Sequence, residues 1–150
     1  MSTTPRTPAQ RRIDTLAVLE QHGSAWLATA GSREPRLIAV TATWTGEELV
    51  LATRTGSPTA RNLVESRRAI LAFGTGDDAI LVTAELIEAI PATADPGQVG
   101  RAFIARADWN PAEEGPDWAW YRLRPTRIEA YRGYAELPGR TILRDGAWVA

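Results

Sequence analysis

The sequence predicts a mainly β domain, a closed antiparallel barrel carrying a few peripheral helices. Three observations lead there: short β-rich runs recur along the chain, Gly/Asp/Thr turns join them as hairpins, and no strand–helix–strand rhythm of a parallel sheet is present. A length of 150 residues, 44% of them apolar, suits one domain. A domain of that size buries roughly 70% of the surface its unfolded chain exposes, which is enough for a core and one cofactor-sized cleft.

The elements follow in order. Residues 1–8 read as a flexible N-terminal arm, and 9–150 as the single domain. Ile13, Leu16, Ala17 and Glu20 fall at helical spacing, with Gly23 placed to end a helix of about three turns. His22 beside that glycine suits the negative end of the helix dipole and reads as structural. Residues 25–30 form a short apolar segment, 31–35 a turn, and 36–44 a half-buried strand. After a tight turn at 45–47, the strand 48–53 places Leu49 and Leu51 on one face and Val50 and Ala52 on the other. Residues 69–74 and 79–90 are two more strands across a hairpin turn at 75–78. A connector leads to a helix of about ten residues with Val99, Phe103 and Ile104 as its apolar stripe. Residues 109–117 read as a loop, 118–124 and 127–131 as two strands broken by Pro125, and 140–143 and 147–149 as the closing pair.

Composition removes several chemistries. There is no cysteine, so disulfides, thiolate metal sites and thiol nucleophiles are excluded. All 17 basic residues are arginine, which excludes a Walker A loop and Schiff-base catalysis. With one histidine and only a turn-forming aspartate pair at 77–78, no metal site is expected. A net charge of −1 with scattered arginines argues against nucleic acid as a partner. No apolar run is long enough to span a bilayer and the first residues lack the core of a signal peptide, so a cytoplasmic protein is expected.

The most informative segment is 53–63, which turns from a strand into a helix. Gly56 makes the bend, Ser57 is the N-cap and Pro58 takes the first helical position. Such a helix start offers backbone N–H groups, a hydroxyl and a favourable dipole to a phosphate, and Thr53, Arg54, Thr59 and Arg61 crowd the same stretch. From spacing alone, a plain helix cap with solvated arginines is the slightly better explanation of these residues. Trp118 and Trp120 share one strand face, as core, dimer-interface packing or the wall of a substrate pocket.

Taken together, Trp26-Leu27-Ala28-Thr29, Leu37-Ile38-Ala39-Val40-Thr41, Leu49-Val50-Leu51-Ala52-Thr53, Ser57-Pro58-Thr59-Ala60-Arg61-Asn62-Leu63 and the tail from Tyr121 to Gly133 resemble the pyridoxamine 5'-phosphate oxidase-like superfamily. The resemblance covers about residues 10 to 148. It implies the FMN-binding split β-barrel, antiparallel and Greek-key-like, working as a homodimer. The implied cofactor is FMN or, as in many actinobacterial members, the deazaflavin coenzyme F-420, held in a groove between subunits.

Carried over by position, the resemblance lays the flavin edge along the backbone of Ile38, Ala39, Val40 and Thr41 and the phosphate at Thr53 and Ser57. A second subunit supplies Tyr131 and Arg140. Thr59 stands where a phosphate-binding Lys or Arg is common. The lost charge-assisted bond corresponds to about ten- to a hundredfold in affinity unless Arg54 or Arg61 substitutes. Leu137 and Gly139 replace the Arg and His that hold substrate in true pyridoxamine-phosphate oxidases, so that activity is not expected. The expectation is a flavin- or deazaflavin-dependent oxidoreductase reducing a small organic substrate; the alternative is a non-catalytic protein that binds or sequesters flavin or F-420. No acid–base side chain is singled out, since the cofactor carries the hydride.

Overall fold

The computed structural model describes residues 4–21 and 23–150; the reading of His22 and the first three residues of the expected arm lie outside them. Three helices, α1 (Pro8–Glu20), α2 (Pro58–Ser66) and α3 (Gly97–Ala107), surround eight strands. These are β1 (Gly23–Thr29), β2 (Arg36–Trp44), β3 (Leu49–Arg54), β4 (Arg68–Gly74), β5 (Asp78–Pro91), β6 (Trp118–Arg132), β7 (Thr141–Arg144) and β8 (Ala147–Trp148). The sheet runs β3-β2-β1-β4-β5-β6 and closes where β3 pairs with β6, giving a six-stranded antiparallel barrel with β7 and β8 extending it. The mainly β barrel read from the sequence is the observed fold.

The barrel interior is filled by Leu27, Leu49, Leu51, Leu71, Val82, Leu123 and Ile128, all with no exposed surface. Burying each contributes about 1.5–3 kcal/mol. A second, smaller cluster lies outside the wall, where Val50, Trp120 and Ala92 meet Phe103 of α3. The two faces read for residues 49–52 are therefore both buried, against different partners.

Two expectations are corrected. Residues 118–132 form one strand, because Pro125 sits where β6 changes its neighbour: β3 pairs up to Leu123 and β7 begins at Arg127. A missing N–H costs little at that gap. Thr126 is the extra residue of a bulge between Pro125 and Arg127, and its hydroxyl donates to the Thr83 carbonyl at 3.2 Å. The bulge reverses the alternation, so Ala119, Tyr121 and Leu123 point inward before it and Ile128 and Ala130 after it. In α1 the buried face is Arg11, Thr15 and Leu19; Ile13 is 60% exposed, and of the expected series Leu16 packs on the core. The reason is polar: the buried Arg11 guanidinium donates to the carbonyls of Ala130, Glu136 and Pro138.

Candidate functional site

The barrel is split between β2 and β3. These strands pair only at Thr43 with Val50 and Trp44 with Leu49, next to the turn, where the Thr45 N–H donates to the Glu48 carbonyl at 2.9 Å. Antiparallel bonding alternates along a strand, so Thr45, Thr43, Thr41, Ala39 and Leu37 turn their backbone groups toward β3 and the intervening residues turn theirs toward β1. Beyond Thr43 no strand among the described residues meets that edge. Within the predicted stretch of Ile38 to Thr41, the amides of Ala39 and Thr41 are thus open, while those of Ile38 and Val40 are spent on β1.

At the same end of the barrel, α2 begins as expected from its sequence. Ser57 is extended and its Oγ accepts from the Ala60 N–H at 3.1 Å, with Pro58 in the first turn. The Arg61 N–H donates to the Ser57 carbonyl, so of the first-turn amides only that of Thr59 has no acceptor among the described residues. Thr53 Oγ1 and Ser57 Oγ lie 3.5 Å apart, one donating to the other, which leaves the pair one hydroxyl proton to donate elsewhere. Thr59 itself is buried.

No protein-family model matches the sequence, and no curated protein matches it either. Solved structures do match. An F-420 reductase superposes with a TM-score of 0.60 at 23% identity, over 75% of this chain and 93% of that one. A Clostridium acetobutylicum protein related to general stress protein 26, of the pyridoxinephosphate oxidase family, gives 0.62 at 15% identity, over 83% and 89%. A pyridoxamine 5'-phosphate oxidase-related, FMN-binding protein from Nostoc punctiforme gives 0.54 at 15% identity, over 83% and 80%. The chain has the split-barrel fold of pyridoxamine 5'-phosphate oxidase-like proteins.

In this split barrel the other predicted residues fall in distinct places. Arg54 does not share the face of Thr53: its guanidinium lies over the Trp118 ring, 5.6 Å from the centroid. Arg61 is exposed on α2 and has no acceptor among the described residues, which makes it the more available cation beside Ser57. Tyr131 and Arg140 lie on the outer face of β6 and just before β7, where Arg140 donates to Glu129 at 2.9 Å and to the Leu137 carbonyl at 3.0 Å. Although β6 and β2 are both neighbours of β3, the pairing of β6 with β3 ends at Leu123, eight residues before Tyr131, and Tyr131 and Arg140 lie away from the β2–β3 split. One chain therefore does not bring Tyr131 or Arg140 to its own open β2 edge.

The outer face between them is the feature that sequence reasoning passed over. Trp26, Leu37 and Ile70 are 55%, 64% and 46% exposed there, on β1, β2 and β4. Their alternation with the buried Leu27 and Leu71 was the available signal, since both faces of these strands are apolar. Trp118 and Trp120 pack around Phe103 and Trp109 as edge-on aromatic pairs, and both buried indole N–H groups lack an acceptor among the described residues.

Proposed function

We propose that the protein binds FMN or coenzyme F-420 in the split of its barrel and reduces a small organic substrate. The observation that carries this reading is the open β2 edge standing beside the Thr53/Ser57 hydroxyl pair. A flavin-type ring has donors and acceptors along one edge, and the unspent groups of Ala39 and Thr41 suit them; Thr53, Ser57, the Thr59 amide and Arg61 suit the phosphate. When bound, the cofactor supplies hydride transfer. The chain's own residues orient the ring and exclude water.

A homodimer belongs to the same proposal. A second copy related by a two-fold axis covers the exposed Trp26, Leu37 and Ile70 and carries its Tyr131 and Arg140 toward the first copy's groove. Arg140 would exchange its bonds to Glu129 and Leu137 for the cofactor. The second reading, a protein that binds or sequesters flavin or F-420 without turnover, is favoured by Thr59 in place of a cation and by the engagement of Arg54 with Trp118.

Fluorescence titration with FMN and, separately, with F-420 tests the proposal, repeated with Ser57→Ala and Arg140→Ala. Saturable binding of one cofactor, weakened about tenfold by either change, supports it. Absence of binding by both cofactors overturns it. Oxidation of the reduced cofactor by an added acceptor then separates enzyme from carrier.

A further inference from the structure

The two tryptophans on the outer face of β6 have different surroundings. Trp120 is buried, with Gly100 of α3 so close that a Cβ there would lie 3.1 Å from its ring. Trp118 is only partly buried, although its backbone is held on both sides: its carbonyl accepts from the Ala92 N–H at 2.9 Å, and the preceding Asp117 carbonyl accepts from the Thr55 N–H at 2.8 Å. Trp109 packs edge-on against Trp118 at 5.2 Å and is fixed by its own indole N–H, which donates to Glu114 at 3.0 Å. The exposed Arg54 lies over the Trp118 ring and has no carboxylate partner among the described residues. The Trp118 indole N–H is buried without an acceptor, a cost that phenylalanine at this position would not carry.

Trp118 also stands beside the split. It pairs with Arg54 of β3, and beyond Val50 the other edge of β3 borders the opening. Ala52, Arg54 and Trp118 thus form the outer lip across from the open β2 edge. Leu27, Leu49, Leu51 and Leu71 fill the barrel interior, so a second small molecule reaches the split from outside. The dimer proposed above covers Trp26, Leu37 and Ile70, on the opposite side of the mouth.

Resting on that reading of the groove, we infer that Trp118 is its substrate-side wall and selects a flat conjugated ring. The ring stacks on the indole in place of the Arg54 guanidinium, whose contact at 5.6 Å is near the outer limit for a cation over an aromatic face. Trp109 backs the wall, and Trp120 is core.

The probes are 2-naphthol and its saturated, puckered counterpart decahydro-2-naphthol, titrated calorimetrically into the purified protein without cofactor and then with FMN or F-420 added. Binding of 2-naphthol about fivefold tighter than its counterpart is expected in both states. Trp118→Leu abolishes the difference while the circular dichroism spectrum stays native. Trp118→Phe, which keeps a flat ring and removes the unpaired N–H, retains the preference and does not lower the urea midpoint. Arg54→Ala tightens 2-naphthol about two- to fivefold, because no guanidinium has to be displaced. Equal affinity for the two probes, a preference that survives Trp118→Leu, or weaker binding to Arg54→Ala overturns the assignment. A structural role alone predicts a lower urea midpoint for Trp118→Phe and the same preference in every variant. Failure of both FMN and F-420 to bind, with the preference intact in the free protein, overturns the cofactor reading instead and leaves the flat-ring site standing.

Discussion

Around Glu136 every strong hydrogen-bonding group is used, whereas along the split of the barrel several are left over. The buried Glu136 carboxylate accepts from the backbone N–H groups of Arg6 and Arg132 and from the Arg6 guanidinium, which also donates to Asp14. That cluster ties the segment before α1 to the turn after β6. At the split, the backbone of Ala39 and Thr41 faces no strand, Thr59 keeps a free amide and Arg61 has no acceptor among the described residues. Burial without a partner costs a group about 1–3 kcal/mol, a cost that the fold avoids around Glu136 but bears at the Trp118 and Trp120 indoles. The first region explains why the protein stays folded; the second is where a ligand has something to gain.

Breaking the satisfied region has the largest effect. Glu136→Ala leaves the Arg6 guanidinium with Asp14 alone and strands two backbone amides, and is expected to cost about 3 kcal/mol in urea denaturation while leaving cofactor affinity of the folded protein unchanged. The same carboxyl gives a pH signature. The Arg6 guanidinium, with the Arg6 and Arg132 amides, holds Glu136 at about 2, below its ordinary 4.5. A depressed carboxyl stabilises the fold fully above its unfolded value, so this contribution is lost as pH falls from about 4.5 to about 2. The unfolding midpoint of Glu136→Gln should be less dependent on pH in that window than that of the unaltered chain.

The open edge is tested by proline pairs. Val40→Pro removes an amide bonded to β1 and is expected to cost about 2 kcal/mol more than Thr41→Pro, which removes one that faces the split. Equal costs measured by thermal unfolding would contradict the edge assignment. Ser57→Ala should lose about 1 kcal/mol of stability with the helix cap, and cofactor affinity in addition. The smallest effect separates the two arginines: Arg61→Ala weakens anion binding by a few-fold at unchanged stability, whereas Arg54→Ala loses about 0.5–1 kcal/mol of contact with Trp118 and leaves anion binding unaltered.

Features set by neighbours in sequence were legible in the chain. The strand 36–44 has the bounds its alternation implies, and Ser57-Pro58 starts α2 as its cap chemistry dictates. Features set by distant partners were not. The burial of Arg11 depends on carbonyls more than a hundred residues away, and the continuity of β6 through Pro125 depends on where β3 ends and β7 begins. The direction of Arg54 is decided by Trp118, its cross-strand partner on β6. The segments of the candidate site were readable because each is local, while the open amides within 38–41 emerged only from the pairing of β2 with β1 and β3.

The central claim is that each groove takes its backbone edge and hydroxyl pair from one copy and Tyr131 with Arg140 from another. Two variants test it together: Ser57→Ala/Arg61→Ala, and Tyr131→Ala/Arg140→Ala. Each alone is expected to lose binding of FMN and F-420. Mixed and allowed to exchange subunits, they should regain saturable binding, because the hybrid dimer contains one intact groove. A mixture that stays silent, or a Tyr131→Ala/Arg140→Ala protein that binds as tightly as the unaltered chain, would contradict the account.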